Sequence, residues 1–147
     1  MTETPVIGVD FGGTSVKLAA VAGETLLGDI LRIPTQGFDH PDLLIDRIAE
    51  VVAEIRHAHP GIAAVGVGVP GGVNFATGMT YNLTNVKGWT AVPLRDILAE
   101  RIGLPTVVEN DANCMAYAEW KFGAAKGCRH AVCVTLGTGV GGGLILE

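Results

Sequence analysis

The chain has 147 residues, with Lys plus Arg 10 against Asp plus Glu 15 and a formal net charge of −5. That length supports one well-filled core without disulfides or a structural metal. A hydrophobic share of 48% against 17% charged residues excludes intrinsic disorder, and the lack of any basic run excludes an electrostatic grip on nucleic acid.

Val6 to Phe11 reads as a buried strand closed by the Gly12-Gly13 turn. Ser15 to Ala22 and Leu26 to Ile33 follow as two more strands, and the short gaps predict an antiparallel meander that Pro34 ends. Leu44, Ile48, Val51 and Ile55 recur on one face of a 3.6-residue period, predicting a helix opened at His40-Pro41, with Asp39 as candidate N-cap. The apolar run Ala63 to Val69 predicts a strand buried on both faces and stopped by Pro70-Gly71-Gly72. Val73 to Asn85 reads as irregular or hairpin-like. Pro93 to Ile102 reads as a helix closed by Gly103, Thr106 to Glu109 as a short strand, and Asp111 to Phe122 as a third helix. Ala131 to Leu136 and Leu144 to Glu147 flank the last glycine cluster as two strands.

The predicted order is βββαβαβα and then ββ. A three-stranded meander followed by two helix-linked strands is the ribonuclease-H-like α/β arrangement, a mixed five-stranded sheet. The closing ββ pair is expected to lie without a helix to cover it. With a mean hydropathy of +0.40, it predicts an apolar surface that faces another molecule, and hence a homo-oligomer.

The three cysteines, Cys114, Cys128 and Cys133, are odd in number and show no CxxC spacing. They encode neither a disulfide framework nor a zinc site, and they suit a reducing compartment. No signal peptide or membrane span is legible, so a cytoplasmic location is expected, without a membrane partner. The four histidines read as structural or solvated.

Four stretches can carry chemistry. In Asp10-Phe11-Gly12-Gly13-Thr14-Ser15-Val16-Lys17 a carboxylate ends a strand and two glycines bare the backbone amides. Such amides can meet phosphate oxygens and such an acid can hold hydrated Mg²⁺, although the same residues also suit a plain hairpin turn. Glu109-Asn110-Asp111-Ala112-Asn113 sets polar groups at a strand-to-helix junction. Asn110 or Asp111 can cap the helix, but one cap does not account for three adjacent polar side chains, and a carboxylate there can accept a proton from a positioned hydroxyl. Gly137 to Gly143 formally fits GxGxxG, but a strand follows where a dinucleotide fold needs a helix, so a glycine hairpin over a phosphate fits better. Gly68 to Gly72 with Asn82 to Trp89 offers amides and either an apolar platform for a sugar ring or a surface loop with one anchoring Trp.

Together these stretches resemble the N-terminal lobe of the ROK family of sugar kinases, mostly glucokinases, and sugar-responsive repressors. The resemblance rests on DxGGTxxK at Asp10 to Lys17, GxPG at Gly68 to Gly71, NxxGW at Asn85 to Trp89, E-NDAN at Glu109 to Asn113 and LGTGxGGG at Leu136 to Gly143. It implies an actin-like ATPase fold, with residues 1–128 as the N-terminal lobe and 129–147 as the first hairpin of a second lobe.

It further implies Asp111 as catalytic base and Gly71, Asn85, Asn110 and Asp111 beside the sugar. Asp10, Gly12, Gly13, Thr14, Lys17, Thr138 and Gly139 would serve the nucleotide phosphates, with Asp10 organising Mg²⁺ through water. The implied cofactors are ATP and Mg²⁺, the implied partner a hexose, glucose first. The family's second-lobe sugar ligands and zinc site are not in this chain. The expectation is therefore a hexose kinase of which this segment alone is inactive. The alternatives are a non-catalytic sugar- or phosphate-binding half-domain, or a regulator of the same family; a helix-turn-helix ahead of Asp10 has no room.

Overall fold

The computed structural model describes residues 3–83, 85–137 and 139–147. Strands β1 (Val6–Phe11), β2 (Ser15–Ala22) and β3 (Thr25–Pro34) form the expected meander. Helix α1 (Pro41–Ala58) then leads to β4 (Val65–Val69), and helix α2 (Leu94–Ile102) to β8 (Thr106–Asn110). These five strands make one mixed sheet in the order β3-β2-β1-β4-β8, antiparallel in the meander and parallel across β1, β4 and β8. The ribonuclease-H-like α/β sheet is thus present.

One face of the sheet carries the core. Ile7, Val9 and Phe11 of β1 and Val16 and Leu18 of β2 alternate inward, where they meet Leu44, Ile48, Val52 and Ile55 of α1 and Leu94 and Leu98 of α2. Two-residue alternation on the strands and a 3.6-residue stripe on α1 bury the same side, so the hydrophobic effect specifies the register. The opposite face is open. Gly8, Asp10 and Gly66 lie exposed on it, which corrects the expectation that β4 is covered on both sides. Gly66 and Gly68 blur the alternation: a glycine facing solvent reads in sequence like one more small apolar residue.

The stretch expected to be irregular or hairpin-like holds a hairpin of β5 (Gly72–Asn74) and β6 (Met79–Tyr81), which β7 (Ala91–Val92) extends into a small antiparallel sheet. At the start of α1 the cap is His40, not Asp39; its Nδ1 accepts the Asp42 amide at 3.3 Å. Helix α2 opens at Leu94, with Pro93 just outside it and no side-chain cap.

After α3 (Asp111–Lys121), strands β9 (His130–Leu136) and β10 (Val140–Leu146) form a separate hairpin. Two expectations are corrected here. Strand β10 begins at Val140 rather than Leu144, so Gly141, Gly142 and Gly143 pair with Thr135, Val134 and Cys133 as ladder residues. The hairpin is also covered on one face, because α3 lies against it. A side chain at Gly143 would strike Ala116, and its Cβ would come within 2.8 Å of the Ala112 carbonyl oxygen. The glycines let the strand approach a helix face of alanines, which is why they stand inside a strand despite their poor propensity for it. The outer face stays bare, with Leu136 82% and Val134 58% exposed. No helix is long and apolar enough to cross a membrane among the described residues.

Candidate active site

Strands β1, β4 and β8 run parallel and end together, the edge at which open α/β sheets place ligands. The register sets Lys17, Asp10, Gly68 and Glu109 in one row across β2, β1, β4 and β8. Asp10 therefore stands two strands from Glu109, about 10 Å by strand spacing. The Lys17 ammonium donates to the Asp10 carboxylate at 3.0 Å, both side chains being about half exposed.

The chain leaves β1 through a turn at 12–14. The Gly12 amide donates to the Ser15 carbonyl at 3.0 Å and closes it. Behind it, the Thr35 hydroxyl donates to the Gly13 carbonyl and the Thr35 amide to the Thr14 carbonyl, each at 3.0 Å. A Cβ on Gly13 would meet the Asn85 amide nitrogen at 3.0 Å, so this turn touches the loop that carries Asn85.

That second loop is fixed from below. Trp89 is only 4% exposed, stands edge-on to Phe11 with centroids 5.2 Å apart, and donates from Nε1 to the Thr80 hydroxyl at 2.9 Å. The Thr80 hydroxyl in turn donates to the Val92 carbonyl at 3.0 Å. The indole is thus the anchor of the loop and not a platform for a sugar, and Asn85 is left exposed above it.

At the head of α3 the side chains of Glu109, Asn110, Asp111 and Asn113 all have structural duties. Asn110 is the N-cap; its Oδ1 accepts the Ala112 and Asn113 amides at 3.0 and 3.2 Å, satisfying donors the helix leaves open. Its Nδ2 donates to the Gly71 carbonyl at 3.1 Å and joins the helix to the turn after β4. Glu109 accepts its neighbour's amide at 2.7 Å and the Asn113 side chain at 3.1 Å. Asp111 uses Oδ1 on the Ala112 amide at 2.7 Å. Partial burial pushes the Cys114 thiol up from its ordinary pKa, and the carboxylates of Glu109 and Asp111 push it further in the same direction.

Two hollows meet at Asp111. A groove of about 580 Å³ on the open sheet face is bordered by Asp10, Lys17, Gly68, Glu109, Asp111 and Cys114. A recess of about 700 Å³ lies between the two glycine turns, bordered by Gly13, Thr14, Gly71, Asn85, Asn110, Asp111 and, from the hairpin, Gly137 and Gly139. Among the described residues, Asp111 is the one expected site residue on both. Asp10 and Lys17 border only the groove, and Gly12 borders neither. Thr138 lies outside the described residues.

Sequence reasoning missed Thr35 and the Asn110-to-Gly71 link. Both are contacts between distant segments, and neither leaves a local pattern. Chemically, the recess offers backbone amides from glycine turns, carboxamides from Asn85 and Asn110, and one carboxylate. That is a donor-rich wall for oxygen ligands with a single group able to take a proton.

The ROK family profile matches residues 6–147. A glucokinase of Streptomyces coelicolor is 43% identical over 140 residues, an alignment covering 95% of this chain and 43% of that protein. Among solved structures, a ROK glucokinase of Streptomyces griseus in complex with glucose and AMPPNP superposes with a TM-score of 0.84 at 38% identity, over 97% of this chain and 44% of that one. An inorganic polyphosphate/ATP-glucomannokinase of Arthrobacter sp. strain KM gives 0.84 at 34%, over 99% and 59%. The chain thus spans less than half the length of the Streptomyces coelicolor protein. The actin-like ATPase fold of these kinases and a profile that runs nearly end to end agree: this chain belongs to the ROK family.

Proposed function

We propose that this chain forms the N-terminal part of an ATP-dependent hexose kinase, with glucose as the first candidate substrate and its 6-hydroxyl as the acceptor. Residues 1–128 make the N-terminal lobe and 129–147 the first hairpin of a second. One observation carries the reading. Asp111 borders both hollows and lines the recess together with Gly13, Thr14, Asn85, Asn110 and Gly71. Its relatives' names, glucokinase and glucomannokinase, point the same way.

The recess fits a sugar hydroxyl beside a terminal phosphate. Gly13 has no Cβ to press on the Asn85 side chain, and the backbone amides of such a glycine turn are of the kind that cradle phosphate. The Asp10 carboxylate is a hard oxygen donor and suits Mg²⁺ held through water, with Lys17 next to it as a second charge. When bound, the metal supplies the positive charge that offsets the transferring phosphate. Gly139 would approach the phosphates from the hairpin side, while Gly12, its amide held by the Ser15 carbonyl, would shape the turn that serves them.

An aspartate carboxylate is too weak a base to strip an alcohol beforehand. Asp111 instead orients the hydroxyl and accepts its proton late, while Asn85, Asn110 and the Gly71 turn hold the ring. Phosphoryl transfer depends mostly on such placement. In the full-length enzyme, Asp111→Ala is expected to lower kcat by roughly 10²–10⁴ and spare nucleotide binding. A coupled glucose-phosphorylation assay checks this, and near-normal turnover removes the role.

A second reading follows from the share of its relatives that the chain covers: a segment that binds sugar or phosphate without turning it over. Calorimetry of the 147-residue chain with glucose and with ATP, beside the same assay, separates the two. Adding polyphosphate in place of ATP settles the donor. A cytoplasmic site of action and a homo-oligomer formed through the bare hairpin face complete the proposal.

A further inference from the structure

We propose that Thr35 is the positioning residue of the Gly13–Thr14 turn, setting the direction in which that turn presents its amides to a phosphate. The inference rests on the turn being a phosphate site, and it adds the residue that aims it.

Thr35 follows Pro34, the last residue of β3, which pairs with Ser15 at the start of β2. Pro34 sits at a non-hydrogen-bonded pair, where its missing N–H costs the ladder nothing, and the next hydrogen-bonded position falls on Thr35 opposite Thr14. Thr35 supplies two donors at once. Its hydroxyl reaches the Gly13 carbonyl and its amide the Thr14 carbonyl, both at 3.0 Å, and the residue is only 1% exposed.

Each peptide unit is planar and trans, so its C=O and N–H point in opposite directions. Holding the Gly13 carbonyl toward buried Thr35 turns the Thr14 N–H away from it. Holding the Thr14 carbonyl does the same to the Ser15 N–H. Gly13 and Thr14 border the recess, and buried Thr35 does not. Glycine 13 is otherwise free to rotate its peptide planes, and a flexible turn would have to be ordered by the ligand at a cost in affinity.

The test is heteronuclear NMR on the 147-residue chain, unmodified and as Thr35→Val and Thr35→Ser, with inorganic tripolyphosphate as the probe. Valine keeps the shape and removes the hydroxyl; serine restores it. Without ligand, the Thr14 amide resonance is expected to move in Thr35→Val and to return in Thr35→Ser, while α1 and α2 resonances stay in place. Tripolyphosphate affinity is expected to fall about tenfold in Thr35→Val, the size of one lost hydrogen bond, and to recover in Thr35→Ser.

An unmoved Thr14 resonance in Thr35→Val, or a serine variant that behaves like valine, overturns the part given to Thr35. Failure of the unmodified chain to bind tripolyphosphate overturns the phosphate reading instead, and the proposal with it. Should Thr35→Val not fold, a through-hydrogen-bond coupling between the Thr35 amide nitrogen and the Thr14 carbonyl carbon in the unmodified chain decides: its presence supports the clamp and its absence overturns it.

Discussion

The two glycine turns that border the recess are built in opposite ways. The turn at 12–14 is held from several sides, by Ser15 within the turn, by Thr35 behind it and by close contact with Asn85. The turn of the β9–β10 hairpin rides on a two-stranded ribbon whose purchase on the rest of the molecule is α3, through Gly141 and Gly143 against Ala112 and Ala116. Similar composition therefore serves two ends. In the first turn glycine lines the recess; in the hairpin Gly141 and Gly143 buy a close approach between strand and helix.

Substitutions can break that contrast. The largest expected effect is at Gly143. A valine there meets the Ala112 carbonyl and Ala116, and should cost about 3 kcal/mol at the helix–hairpin contact. Amide exchange in β9 and β10 should accelerate by roughly 100-fold while β1, β2 and β4 keep their protection. Equal loss in both regions would mean the hairpin and the sheet unfold as one unit.

Asn110→Ala comes next. It removes the α3 cap and the tie to Gly71, and should lower stability by about 1–2 kcal/mol in denaturant titration. On the bare side of the hairpin, Leu136→Thr should change stability by less than about 0.5 kcal/mol in the monomer, since that side chain is already in water. A larger loss that grows with protein concentration would show the face covered in solution.

The smallest effect sharpens the picture at the head of α3. Alkylation of Cys114 requires the thiolate, and its midpoint should lie above that of an ordinary thiol, because burial and two carboxylates disfavour the anion. Glu109→Gln removes one of those charges, so the midpoint should fall toward the ordinary value, measured as iodoacetamide rate against pH.

Much of this architecture was readable beforehand. The meander, α1 and the parallel strands follow from alternation, from a 3.6-residue stripe and from loop lengths too short to allow other connections. Errors came where glycine hides the pattern. Gly66 made β4 look doubly buried, and Gly141 to Gly143 looked like loop when they are ladder. The paired spacing of Ala112 and Ala116 was the available hint that a strand lies close by. At the site, motif residues such as Asp10, Gly13, Asn85 and Asp111 border the hollows, whereas Gly12 does not. Thr35 as a clamp and His40 as a cap depend on partners chosen by tertiary contact or local geometry, and residue type alone does not announce them; for Trp89 the same contacts decide between platform and anchor.

The Asn110 carboxamide has a directional consequence. Both lone pairs of its oxygen are occupied by the first turn of α3, and one of its two N–H bonds is given to Gly71. What remains is a single hydrogen. Whatever docks against that side chain must bring an oxygen that receives, and a hydroxyl offering its own proton has to find another taker; the nearest in the chain is the carboxylate one residue on.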